Sequence, residues 1–323
     1  LSQALTLEEK LSKEDLKELA EMDTSVQQAL IDRSVEMKHA SDRLRKSAEK
    51  VRVAQILNEL VRLLDQKGND QGSILLRSAL LVARLDNPDF HPSHYIKRVD
   101  RMAGRIAQNI PASATQREKL DILISQMFEK YGFHGSSLDF HHRANSYVNE
   151  VIDDREGLPI TLSLLFLELG NRIDLPLFGL STPGHFLALY REPGQGIDQA
   201  VLIDAFGGQT IPRQQANELT NSELSEKDFV PASDTEIITR ILGNLLRSAE
   251  WQRDSTAALR YLNALVAINP QDQYFRTLRA MTFYGEGMLA EALSDINLLI
   301  EQDPQNAAND TLLEIKRRLS DPH

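Results

Sequence analysis

Apolar positions recur at helical spacing through the first third of the chain. Val53, Ile56, Leu57, Leu60, Val61 and Leu64 form one stripe, and Gly68-Asn69-Asp70 supplies its stop. Residues 1–70 are therefore expected to be helical and highly charged. Further helices are predicted over 73–84, ended by Asn87-Pro88, over 93–109, stopped before Pro111, and over 115–131, with Gly132 as the C-cap. Residues 133–143 are rich in Gly, Ser and His and read as a loop.

The pattern changes after Gly157. Pro159 suits the first turn of a helix, where its missing N–H costs nothing. The apolar run that follows, broken by Ser163 and Glu168, predicts a helix to about Arg172. Residues 175–180, 185–190 and 200–204 are β-like, with a Gly/Pro turn at 192–196. One helix followed by short antiparallel strands predicts an α+β core rather than a parallel α/β sheet.

The last third repeats itself. Ala258 and Ala292 are 34 residues apart, as are Leu259 and Leu293, Leu262 and Ile296, Leu265 and Leu299, and Pro270 and Pro304. That period, with Ala, large apolar and Pro at these offsets, is the tetratricopeptide pattern. Helices are expected over 237–250 and 256–268, then over 273–284 and 289–301. Two repeats stand alone poorly, so they are expected to pack on the preceding domain. Three regions follow: an N-terminal helical region (1–70), a central α+β domain (71–233) and a repeat region (234–323).

Composition narrows the function classes. The 323 residues are 41% hydrophobic and 26% charged, ordinary for a globular protein. No apolar stretch is long enough to suggest a membrane span. The net charge of −11 argues against general nucleic-acid binding. Basic residues between Arg33 and Arg52 alternate with Asp32, Glu36, Asp42 and Glu49, as on a solvated helix face. There is no cysteine, which excludes disulfides, Cys-ligated zinc and thiol catalysis. The protein is expected to be soluble and cytoplasmic, without membrane or nucleic-acid partners and without a cofactor.

Several polar residues invite a chemical reading. Asp139, His141 and His142 suggest a metal, but adjacent histidines point apart and the ligand count is short, so no metal site is expected. His91 and His94 flank Pro92 and read as loop and cap residues. Trp251, at a turn between repeat helices, reads as packing. Gly207-Gly208 is a turn signal. Asn145 suits a turn or a cap, and Arg155 an ion pair with Glu150 or Asp154.

The middle and C-terminal parts resemble the SirB1 family, a branch of the transglutaminase-like superfamily with a tetratricopeptide tail. The residues that carry the resemblance are Asn145-Ser146-Tyr147-Val148-Asn149-Glu150-Val151, then the run from Arg155-Glu156-Gly157-Leu158-Pro159 to Ser163. Pro183-Gly184-His185-Phe186-Leu187 and Ile203-Asp204-Ala205-Phe206-Gly207-Gly208 complete it. The match begins near Leu75, ends near Pro304 and leaves residues 1–70 uncovered. It implies a papain/transglutaminase-like core, in which active relatives carry a Gly-x-Cys nucleophile at this helix start. Gly157-x-Pro159 falls there, and His185 and Asp204 fall at the other two triad positions.

A thiolate would be favoured at a helix start by the dipole and free N–H groups. His185 would take its proton and Asp204 would orient the imidazole. With Pro159 in place, that mechanism lacks its first member. Thr161 and Ser163 carry hydroxyls nearby, and Thr161 is the candidate replacement, although a hydroxyl is harder to activate. The plain reading of His185 and Asp204 is a structural hydrogen bond between two polar groups. Asn145, Asn149 and Glu150 are candidate ligand-binding residues bordering the same cleft. The expected function is a non-catalytic scaffold or regulatory protein that binds a protein partner through its repeats and helical surfaces. The alternatives are a hydrolase or acyl-transferase using a non-Cys nucleophile with His185 and Asp204, and a small-molecule binding module in the relic cleft.

Overall fold

The computed structural model describes residues 14, 17, 25–66, 74–136, 139, 142–303 and 313–317. The chain divides into two compact units, Leu1–Gln55 and Ile56–His323. Helix α1, Ser25–Leu64, supplies the described part of the first unit, where it is exposed and carries the ion pairs Arg33–Glu36 and Arg52–Glu49. From Ile56 onward the predicted stripe enters a core, with Ile56, Leu60 and Leu63 buried.

Two helices come next in the second unit. In α2 (Ile74–Arg84), Leu75, Leu76 and every residue from Ser78 to Ala83 are buried. α3 (Pro92–Gln108) turns a narrower apolar face inward and starts at His91, with proline in its first turn. α4 (Gln116–Ile124) begins with a capping box in which Thr115 and Glu118 satisfy each other's backbone N–H groups. Residues 125–130 then leave the predicted α-helix for a π turn. The turn carries Phe128, which stacks on Phe166 at 5.8 Å and lies against Gly208.

Short elements lead to the core helix. β1 (His134–Gly135) interrupts the segment expected to be loop and pairs in parallel with β2 (Glu156–Gly157). Between them come a 3-10 turn (Arg143–Ser146) and α5 (Val148–Asp154). α6 (Pro159–Asn171) is buried from Pro159 to Gly170. A helix apolar on all sides belongs in a core. Its two polar interruptions are buried too: Glu168 pairs with Arg172 at 2.6 Å, whereas the Ser163 hydroxyl has no partner among the described residues.

One face of α6 packs on an antiparallel sheet in the order β3 (Leu177–Ser181), β4 (Phe186–Tyr190), β5 (Val201–Asp204) and β6 (Gln209–Ile211). The first three strands match the predicted runs. β6 adds a fourth that the pattern did not predict, because Gln209 and Thr210 are exposed. All the pairings are antiparallel, as expected of an α+β core. Behind the sheet, Leu180, Leu187, Leu189 and Leu202 pack with Ala216 of α7 (Arg213–Thr220) and with Phe229.

Four helices follow: α8 (Asp234–Trp251), α9 (Ser255–Ile268), α10 (Gln273–Gly285) and α11 (Leu289–Gln302). Their bounds fall close to those predicted from the 34-residue offsets. Each packs on the next, and Ala258 and Ala292 are buried at the helix contacts. Pro304 lies outside the described residues. α8 also packs on α2, α6 and β3. Trp251 corrects one expectation: it is 76% exposed rather than packed away, because it ends α8 at the solvent side of the turn. Among the described residues no helix is long and apolar enough to cross a membrane.

Candidate functional site

His185 enters from a tight turn. Gly184 takes a positive φ of 69° that a side chain would resist, and the His185 N–H returns to the Pro183 carbonyl at 2.8 Å. The His185 carbonyl is held from two sides. Thr182 Oγ1 donates to it at 2.8 Å, and Arg240 Nη2 of α8 donates at 2.7 Å. Arg240 also donates to the Thr182 carbonyl at 2.7 Å and to Ser181 Oγ at 3.1 Å.

Asp204 ends the neighbouring strand. Ala188 of β4 pairs with Ile203 of β5. Continuing that register by one residue sets Asp204 opposite Leu187, diagonal to His185 on the same face. The two side chains meet, with His185 Nε2 2.9 Å from Asp204 Oδ1. The same oxygen accepts the Phe206 N–H at 3.1 Å. A carboxylate accepts, so Nε2 carries the proton and Nδ1 is left as the basic nitrogen. The imidazole is 11% exposed and the Asp204 side chain 7%. Phe206 stands edge-on to the imidazole at 6.4 Å. Gly207 leaves room for the carboxylate, since a Cβ there would stand 2.7 Å from Asp204 Oδ2.

The helix start is built separately. Pro159 and the residues behind it are buried. Thr161 Oγ1 accepts the Leu158 N–H at 3.0 Å and donates to the Asn145 carbonyl at 2.7 Å. The Leu158 N–H also reaches that carbonyl, at 3.2 Å. The Thr161 hydroxyl is thus engaged with the backbone of residues 145 and 158, and makes no hydrogen bond to His185. Asn145 in turn donates to Ser136 Oγ at 3.0 Å and to the Asp139 carbonyl at 2.7 Å.

Asn149 and Glu150 face another way. Asn149 Nδ2 donates to Glu150 Oε1 at 2.8 Å, and Asn87 Nδ2 reaches the same oxygen at 3.2 Å. Arg155 does not pair with Glu150 or Asp154. It caps α5 with a left-handed backbone (φ 67°) and lays its guanidinium over Phe133 at 4.7 Å and Tyr131 at 5.8 Å. Burial and the nearby Arg98 push its pKa down. His142 Nδ1 accepts the Ala144 N–H at 3.3 Å and so starts the 3-10 turn. His141 lies outside the described residues.

Residues 134–136 tie the two halves together. The His134 N–H reaches the Arg155 carbonyl at 2.9 Å and the Ser136 N–H reaches the Gly157 carbonyl at 3.0 Å. Between them, the Gly135 N–H reaches the Phe206 carbonyl at 3.2 Å. A Cβ on Gly135 would stand 2.5 Å from the Phe206 ring, so the glycine permits this approach. The structure therefore joins His185 to Asp204, joins Thr161 to Asn145, and turns Asn149 and Glu150 toward Asn87. Gly135, Phe206 and Arg240 belong to the site without a local sequence signal strong enough to single them out.

Residues 93–243 match the family model of the transglutaminase-like superfamily. A UPF0162 protein of Xylella fastidiosa is 27% identical over 251 residues, covering 73% of this chain and 86% of that protein. Protein SirB1 of Salmonella typhimurium is 25% identical over 239 residues, covering 72% of this chain and 88% of that protein. F-box only protein 21 of Pongo abelii is 26% identical over 195 residues, covering 56% of this chain but 30% of that longer protein.

Proposed function

We propose that this chain, a relative of the SirB1 proteins carrying a transglutaminase-like domain, is a non-catalytic scaffold or regulatory protein. In this reading it binds a protein partner through the C-terminal helices, taken as tetratricopeptide repeats, and through neighbouring helical surfaces. One observation carries the non-catalytic part: Pro159 fills the first position of α6, where the helix start would best stabilise a thiolate. The sequence offers no cysteine elsewhere. The nearest hydroxyl considered as a substitute, Thr161, is committed to backbone partners. In this reading the His185–Asp204 pair persists because the half-buried imidazole and the buried carboxylate satisfy each other.

The stacked helices α8–α11 support the partner-binding part. Paired helices of this kind present extended concave surfaces suited to peptides or helices. The test combines two measurements on the full chain. Amide and ester hydrolysis and acyl transfer are expected to be absent across a broad substrate panel. Partner capture is expected to be lost when exposed residues of α8 and α10 are changed in a chain that remains folded.

A second reading has one observation in its favour. The imidazole is oriented by Asp204 at 2.9 Å and partly open to solvent, as a general base would be. In that reading His185 activates water or a hydroxyl, and the chain is a hydrolase or acyl-transferase. Turnover abolished by His185→Ala would establish it.

A further inference from the structure

A groove along α8 holds two guanidinium groups with no carboxylate partner among the described residues. It has a volume of about 570 Å3 and lies between α8 and the first turns of α10, with Ser181 and Gly184 of the β3–β4 turn at its edge. Arg240, Gly243 and Arg247 are three and four residues apart on α8 and so share one helix face. Gly243 keeps the floor open, since a Cβ there would meet nothing within 4 Å.

All the hydrogen bonds of half-buried Arg240 go to neutral oxygens: Ser181 Oγ, the Thr182 carbonyl and the His185 carbonyl. Arg247 is exposed and donates to the side-chain oxygen of Asn244. Burial, and then the nearby Arg247, push the pKa of Arg240 down. A cation drawn partly out of water is ordinarily matched by an acid.

The acids of the groove wall are committed elsewhere. Glu236 accepts from the N–H and hydroxyl of Ser233 at 2.7 and 2.8 Å. Asp272 accepts from the N–H groups of Tyr274 and Phe275 at 2.8 and 3.3 Å. Both therefore sit at helix starts, whose positive ends offset their charge. Glu250 is exposed at the far end of α8. None of the three forms an ion pair with either arginine.

The groove is long and partly apolar. From Glu236 to Glu250, α8 rises about 21 Å at 1.5 Å per residue, roughly the reach of six residues of extended chain. Opposite the guanidiniums stands the ring of Tyr274, 66% exposed, with Phe275 and Leu278 beside it. Cations along one wall and an open aromatic ring along the other match a chain segment better than a single small carboxylate.

We infer that the groove between α8 and α10 binds an acidic, extended segment of a partner protein, with Arg240 and Arg247 receiving its carboxylates. This rests on the partner-binding reading above and names the chemistry of the partner. Arg240 also connects the groove to the His185–Asp204 pair. The guanidinium that meets the ligand holds the His185 carbonyl, so occupation is felt at the imidazole.

The test uses the full chain and a fluorescein-labelled peptide alternating Glu and Leu, followed by anisotropy. Peptides with Gln or Lys in place of Glu are the controls. The Glu peptide is expected to bind saturably and to weaken with added salt. Arg247→Glu, an exposed change outside the His185–Asp204 pair, is expected to weaken binding by about tenfold or more while circular dichroism stays unchanged. NMR is expected to show the His185 ring resonances moving as the peptide is added. Equal binding of the Gln or Lys peptide, or unchanged binding by Arg247→Glu, would overturn the inference. Displacement by free glutamate at the same carboxylate concentration would overturn the polypeptide as its source. If the peptide fails but partner capture still requires α8 or α10, the groove chemistry falls and the partner-binding reading stands.

Discussion

The hydroxyl of Tyr147, just before α5, meets the hydroxyl of Tyr261, on α9, at 2.8 Å. Both hydroxyls also lie within hydrogen-bond reach of one oxygen of the Asp86 carboxylate, which pairs with Arg260, so their two protons are shared between that oxygen and each other. Burial and the neighbouring Tyr261 push the Tyr147 pKa up, so its hydroxyl stays protonated and donating. This cluster fastens α9 to the segments around α2 and α5. α9 is thus part of the packing of the central α+β core rather than of a removable tail.

Tyr261→Phe should therefore destabilise the chain. It removes one donor to a largely buried carboxylate and leaves Tyr147 and Arg260 to satisfy it, at a cost of about 1–3 kcal/mol. Urea denaturation is the measurement. Tyr274→Phe, at an exposed position, should fall within about 0.5 kcal/mol of the parent. Equal effects of the two changes would remove the cluster from the account.

Asp204 should set the tautomer of His185. With the carboxylate on Nε2, nitrogen-15 chemical shifts of the deprotonated ring should report a single tautomer, protonated at Nε2. Asp204→Ala should convert this into a mixture of both tautomers. A single Nε2–H form that persists in the variant would show that another group fixes the ring.

Gly135→Ala should strain the bridge between the two halves of the site. The added methyl would sit 2.5 Å from the Phe206 ring, forcing the ring off its place beside His185. Overpacking of this kind costs about 1–3 kcal/mol. Phe206→Ala in the same chain should recover part of the loss. An absence of coupling between the two changes, in denaturation of the single and double variants, would contradict the contact.

Acid stability should depend on Asp254. The Ala257 N–H and then Arg143 stabilise its carboxylate, so its folded pKa lies below the ordinary value. A depressed acid contributes its stability in full above the unfolded pKa, near 4, and loses it as pH falls through the folded value. Asp254→Asn should flatten that acid limb of the stability curve and leave the region above pH 5 nearly level with it. A limb of unchanged steepness would assign the acid sensitivity to other groups.

The frame of the site was readable from local pattern. Pro159 before an apolar run marked the core helix, Pro183-Gly184-His185 marked a strand entry, and Asp204 closed an apolar strand. The rest depends on contacts far apart in sequence. Arg240 reaches His185 across 55 positions and Tyr261 reaches Tyr147 across 114, which no local period encodes. Ser163 and Glu168 looked like breaks in an apolar face, yet both are fully buried, Glu168 because Arg172 neutralises it. β6 escaped prediction because two of its three residues face solvent.

Turnover by the purified full chain tests the central claim most directly. Hydrolysis and acyl transfer would be followed over a panel of amides and esters, beside His185→Ala. The account predicts no product above the His185→Ala background with any substrate. Product formation by the parent chain that disappears with His185→Ala would contradict it and restore the site as catalytic.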